Sequence, residues 1–186
     1  EKAKHFFASD EQLSKYFDIF QTSQCEEISL DALRLILLTG LRTGEIRSIT
    51  RDMIDFSRRS LHLPSELTKN GRPHMVSLSH DAFEILKRHC NGLIGASRVF
   101  PFGEHKLHQV CTRMTQRAGQ RATPHSLRKT YATQLAMLGV KDTVIASSLN
   151  HVAKGVTEKH YNFYMYEKEK RAANEKIAQK FRSLGF

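Results

Sequence analysis

The sequence is poor in the features that mark several protein classes. Its three cysteines, Cys25, Cys90 and Cys111, form an odd set without C-x-x-C spacing, which argues against a disulfide framework and against a zinc ribbon. An intracellular, reducing setting is expected. The longest apolar run, LILLTGL at residues 35–41, is far shorter than the ~20 residues that span a bilayer. The opening residues carry no secretory-signal pattern, so a soluble chain with no membrane partner is expected. Proline is scarce, at 4 in 186 residues, and no low-complexity linker or internal repeat divides the chain; a single domain over residues 1–186 is expected. Ten histidines invite a metal reading, yet His105 and His108 lack a second ligand pair at metal spacing. Neither a metal nor a cofactor is predicted.

What the chain has in excess is positive charge. It carries 29 Lys and Arg against 19 Asp and Glu, a formal net charge of +10. The excess is uneven: residues 105–141 hold seven Lys or Arg and no acid, whereas residues 1–30 hold six acids and three bases. A local basic face of this kind seeks polyanions, nucleic acid first.

Periodicity divides the chain into helices at both ends and a short strand-rich stretch between them. Leu13, Phe17 and Phe20 fall at helical spacing within residues 10–21, and SLDALRLILL follows with Ser29 as a candidate N-cap and Gly40 as a stop. Over residues 53–78 the pattern shortens to runs such as SLHL and HMVSL, with Asn70-Gly71 between them. Asn-Gly in that setting predicts a hairpin. Helical periodicity returns in HDAFEILKRH, HKLHQVCTRMTQ, PHSLRKTYATQLAML and KDTVIASSL. A charged tail helix over about 167–182 carries Ala173, Ile177 and Phe181 on one stripe, which must dock on its own subunit or on a neighbour. The expected class is mainly α with a small antiparallel β-sheet (α+β).

Four stretches carry candidate chemistry. In TPHSLRKTYATQL, residues 123–135, Thr123 suits an N-cap and Pro124 the first helical position. His125 then lies in the first turn, where free N–H groups favour an anion, and Arg128 projects from the same face. Leu127, Tyr131, Leu135 and Leu138 form the opposite, buried stripe, so Tyr131 reads as structural. In TGLRTGEIRSIT, residues 39–50, Arg42 sits at a corner between Gly40 and Gly44, with Glu45 three residues on to fix its guanidinium. Lys69 falls beside the hairpin turn. His151 precedes Tyr161 by ten residues in LNHVAKGVTEKHYNFYMYEKEKRAA. Singly each signal is weak: H-x-x-R can be a solvated pair, Glu45 a first-turn acid, and a turn lysine merely hydrated.

Taken in order and spacing, these motifs resemble the catalytic domain of the tyrosine recombinases, the phage integrase family. The resemblance covers residues 10–186, and the ending looks most like integrases of prophages and genomic islands. It implies a catalytic set of Arg42, Lys69, His125, Arg128, His151 and Tyr161, with Glu45 orienting the arginine corner. Tyr161 would be the nucleophile forming a 3′-phosphotyrosine, Lys69 the general acid, and the arginines and histidines the groups that hold the phosphate. Tyr164 and Tyr166 are rivals to Tyr161, but the distance from His151 and the HYN context favour Tyr161; His160 reads as a bystander. Ser126 and Asn150 stand where many members have Asp and Gly, positions that carry no chemistry.

The resemblance also implies partners: double-stranded DNA at attachment sites, a homotetramer on two duplexes, and a host DNA-bending protein or an excisionase. It implies a cytoplasmic, nucleoid-associated location. Relatives carry an N-terminal helical domain that clamps the other face of DNA, and the chain is expected to be a piece lacking it. Two further readings stay open: a cutting and rejoining enzyme without exchange, such as a type IB topoisomerase or telomere resolvase, and a DNA-binding regulator with LLTGLRTGEIRSI as a helix-turn-helix.

Overall fold

The structure is a computed structural model that describes residues 9–117, 122–151 and 166–186. In chain order its elements are α1 (Asp10–Thr22), α2 (Glu27–Thr39), α3 (Thr43–Ser48), β1 (Ile54–Asp55), β2 (Ser60–Leu63), β3 (His74–Ser77), α4 (His80–His89), α5 (Lys106–Arg117), α6 (Pro124–Met137), α7 (Asp142–Ser148) and α8 (Glu167–Ser183). Single 3₁₀ turns at Arg51–Met53 and Ser65–Leu67 flank the first two strands. The strands form one antiparallel sheet in the order β1-β2-β3, so the chain is mainly α with a small sheet, as its periodicity implies. Among the described residues no helix is long and apolar enough to cross a membrane.

The core is built around α2. Leu30, Ala32, Leu33, Leu35, Ile36, Leu37 and Leu38 are all buried, and a helix apolar on every side has to be surrounded. Helices α4, α5, α6 and α8 provide that shell. The one acid at its heart, Asp31, accepts from Arg34 at 2.8 Å and Arg88 at 3.1 Å, and lies 2.8 Å from His89 Nε2. A buried carboxylate needs such partners, and here they pin α2 to α4. Ser29 does not cap this helix. Glu26 occupies the N-cap, and Ser29 is fully buried in the first turn with its hydroxyl 3.4 Å from Glu26 Oε2. Acids at residues 26 and 27 complement the helix dipole and draw its start forward.

The β2–β3 pair is a hairpin in register Ser60↔Ser77 to Leu63↔His74, but Asn70 and Gly71 do not close it as a two-residue turn. Residues 64–73 intervene, and Thr68, Asn70 and Gly71 build a separate tight turn within that connection. The tail helix α8 lies on the chain's own core. Phe181 and Phe186 meet the Phe17 ring with centroids at 5.3 and 5.0 Å, and Ala173, Ile177 and Ala178 are buried. Asn174 accepts from the Tyr131 hydroxyl at 2.7 Å and donates to the Ser77 carbonyl at 2.6 Å, tying α8 to α6 and β3 at once.

Candidate active site

The site begins where α2 stops. Gly40 takes the left-handed conformation, φ +68°, and its N–H returns to the Ile36 carbonyl at 2.9 Å. A Cβ at this position would lie 2.5 Å from Tyr131 and 2.9 Å from Leu149, so only glycine satisfies both the backbone and the packing. The chain then turns through Arg42 into α3. The Arg42 N–H donates to Glu45 Oε2 at 2.7 Å and its Nη1 to Oε1 at 2.6 Å. Glu45 is buried, at 2 % exposure, and Arg128 Nη1 approaches its Oε2 at 3.9 Å. One carboxylate thus faces two guanidinium groups.

Arg128 enters from α6. That helix is started by Thr123, whose Oγ1 accepts from the Ser126 N–H at 3.2 Å while Ser126 Oγ accepts from the Thr123 N–H at 2.7 Å. Ser126 therefore locks the turn that bears His125. Arg128 is itself buried, at 5 % exposure. Its Nη1 donates to the Gly40 carbonyl and its Nη2 to the Leu149 carbonyl at 2.7 Å. Those carbonyls belong to the C-terminal ends of α2 and α7, whose unpaired acceptors and partial negative charge suit a cation. Burial, then the nearby Arg42, pushes the Arg128 pKa down to about 10, with Glu45 acting the other way; the group stays charged at neutral pH.

Two histidines flank this pair. His151 Nε2 lies 3.4 Å from Arg128 Nη2, and desolvation followed by the charges of Arg128 and Arg42 lowers its pKa. His125 is lowered by desolvation and by Lys129, Arg128, Arg42 and Lys69. Lys69 is exposed on the β2–β3 connection, and its charge acts on His125. Both imidazoles are held toward the neutral form, in which each ring has one donor and one acceptor. The arrangement can hold an anion between Arg42 and Arg128 with neutral hydrogen-bonding groups at its rim.

Arg42, Glu45, Arg128 and His151 are joined by these contacts, and the charges of Arg42, Arg128 and Lys69 act on His125. Tyr161 lies outside the described residues, as do His160 and Tyr164; Tyr166 is half-buried just before α8. Tyr131 sits in the core.

Two buried groups, one on β3 and one on α8, escaped sequence reasoning. His74 opens β3 at 3 % exposure. Burial, then Lys170, Arg128 and Arg42, lowers its pKa to about 3. Lys170 of α8 is buried, donates to the Met75 carbonyl at 3.2 Å, and is pushed down to about 8 by burial. Lys170 was findable, since it lies three residues before Ala173 on the apolar stripe; His74 had no signal in a four-residue strand.

Comparison with known proteins shows the family and the fold. The phage integrase family matches residues 7–167. Prophage integrase IntZ of Escherichia coli strain K12 is 33% identical over 159 residues, 82% of this chain and 39% of that protein. Tyrosine recombinase XerA of Saccharolobus solfataricus is 27% identical over 119 residues, 64% of this chain and 40% of that protein. The chain thus spans about two fifths of the length of these curated relatives. Its fold is shared with the Tn1549 transposon integrase solved in complex with circular intermediate DNA, at TM-score 0.67 and 18% identity, over 91% of this chain and 65% of that one.

Proposed function

We propose, from the premise that the chain belongs to the phage integrase family, that it is the catalytic domain of a site-specific DNA recombinase that integrates or excises a mobile element. The observation that carries this reading is the buried Glu45 carboxylate shared by Arg42 and Arg128. It fixes two guanidinium forks at one mouth, a preorganised grip for a phosphodiester whose nonbridging oxygens gain charge in the transition state.

In the proposed step the Tyr161 oxygen attacks phosphorus in line, giving up its phenolic proton to solvent, and the P–O5′ bond breaks. Lys69 protonates the departing 5′ oxygen and recovers its proton from solvent. The products are a 3′-phosphotyrosine and a free 5′ hydroxyl. No water enters, so the covalent link keeps the energy of the bond it replaced. Attack by a 5′ hydroxyl from a second duplex reverses the step and exchanges strands. Arg42 and Arg128 hold the nonbridging oxygens, while His125 and His151, held toward neutrality, donate to them. Removing one such group costs on the order of 100- to 1000-fold in rate.

Exchange implies four protomers on two attachment-site duplexes, with a DNA-bending or excision factor setting direction, on chromosomal DNA in the cytoplasm. Similarity to a prophage integrase favours exchange over simple relaxation. The test is an assay with two differently labelled duplexes carrying the element's junction sequences, run beside a supercoiled plasmid. Strand transfer between labelled duplexes supports the recombinase. Relaxation of any plasmid without transfer would identify a type IB topoisomerase instead.

A further inference from the structure

The connection that carries Lys69 is fastened to the C-terminus of α7 by a reciprocal pair of side-chain amides. Asn70 Nδ2 donates to the Asn150 carbonyl at 2.6 Å, and Asn150 Nδ2 donates to Asn70 Oδ1 at 3.2 Å and to the Arg72 carbonyl at 3.2 Å. Within the connection the buried Thr68 hydroxyl accepts from the Arg72 N–H at 3.1 Å, and the Gly71 N–H reaches the Thr68 carbonyl at 3.2 Å. Residues 68–72 therefore form one closed tile, with Lys69 on it and Asn150 as its anchor.

Asn150 is suited to this task by its backbone. It has φ +49°, the left-handed residue that ends α7. Its N–H returns to Ser147 at 3.1 Å and the following His151 N–H to Ala146 at 2.9 Å, the paired bonds of a Schellman motif. Glycine and asparagine are the residues that take such a position readily, but only asparagine brings an amide to it. The preceding carbonyl, Leu149, is the one that Arg128 grips. The helix end that seats Arg128 and His151 is thus the same one that holds the turn beside Lys69.

We propose that the Asn70–Asn150 amide pair is a positioning device that sets Lys69 in register with the phosphate grip, so that its ammonium reaches the leaving oxygen. This rests on the reading of Lys69 as general acid. Lysine has a long, freely rotating stem, and Lys69 is exposed, so little besides the placement of its backbone limits where the ammonium goes. A displacement of about 1 Å can cost ~100-fold in rate.

The test measures the rate of covalent complex formation by the full chain on nicked suicide duplexes of the attachment site. One duplex has the normal 5′ oxygen at the scissile phosphate, the other a bridging 5′ sulfur. A thiol, with pKa about 8.5, leaves without protonation, whereas an alkoxide needs an acid. Asn150→Gly keeps the left-handed backbone and both helix-end bonds; Asn70→Ala removes the partner amide from the other side.

Both variants are expected to lose about 10- to 100-fold on the oxygen substrate and to run near the parent on the sulfur substrate, as Lys69→Ala should. Combined with Lys69→Ala, neither should add a further loss. Equal losses on both substrates, losses that add to Lys69→Ala, or no loss at all would overturn the proposal. If Asn150→Gly fails to fold, Asn70→Ala decides by the same criteria. A parent chain that forms no complex with either duplex sinks the tyrosine-recombinase reading itself, and the positioning role with it.

Discussion

The peptide N–H of Arg42 and its guanidinium both end on the carboxylate of Glu45, at 2.7 and 2.6 Å. An arginine held by backbone and side chain at once has little freedom left. Because Arg128 stands 3.9 Å from the same carboxylate, Glu45 also offsets the repulsion between the two cations. Glu45→Gln removes the charge and leaves the volume. Strand cleavage should fall by about 10- to 100-fold, with a smaller change in DNA affinity, when cleavage rate and binding are measured side by side. Equal cleavage by variant and parent would remove Glu45 from the site's working parts.

Gly40 and Gly44 bracket that corner and should respond in opposite ways. Gly40→Ala meets positive φ together with Tyr131 and Leu149, and strain plus overpacking should destabilise the fold by about 2–4 kcal/mol. Among the described residues nothing lies within 4 Å of a Cβ at Gly44, which is in α3, so Gly44→Ala should be neutral or stabilising by up to ~1 kcal/mol. Urea denaturation of the two variants checks the contrast.

Stability should fall as the solution is acidified below neutrality, and His74 should carry a large share of the fall. Its folded-state pKa is about 3 against an ordinary 6.5, so the unfolded chain takes up the proton first. The stability present above pH 6.5 is lost as pH drops toward 3, at up to about 1.4 kcal/mol per pH unit from this group. Lys170, Arg128 and Arg42 all disfavour the protonated ring, and the lowered His125 and His151 act with the same sign. His74→Phe should flatten the profile between pH 7 and 4; an unchanged slope would contradict the assignment.

Much of this architecture was legible because its signals are local. Thr123, Pro124 and Ser126 start α6 through contacts within four residues, and Gly40 stops α2 by its own backbone. The apolar stripe of α8 was also readable, while its docking on the same chain depends on Phe17 and Tyr131, far away in sequence. The Asn-Gly signal correctly implied a hairpin but not its turn, since Asn70 is held by Asn150, 80 residues on, and a tertiary bond overrides local turn chemistry. Ser29 looked like a cap because the apolar run begins beside it; the acids before it start the helix sooner. His74 was invisible because its burial comes from α8 packing on β3, which no four-residue pattern encodes. Asn150 passed as a neutral departure from glycine, its backbone role readable and its amide role not.

The central claim is a covalent tyrosine, and one gel tests it. The chain is incubated with a nicked suicide duplex of its attachment site, denatured and run beside Tyr161→Phe, with Tyr164→Phe and Tyr166→Phe as controls. The account predicts a protein–DNA band in the parent and both controls that disappears only in Tyr161→Phe. A band that survives in Tyr161→Phe, or its absence from the parent, would contradict it.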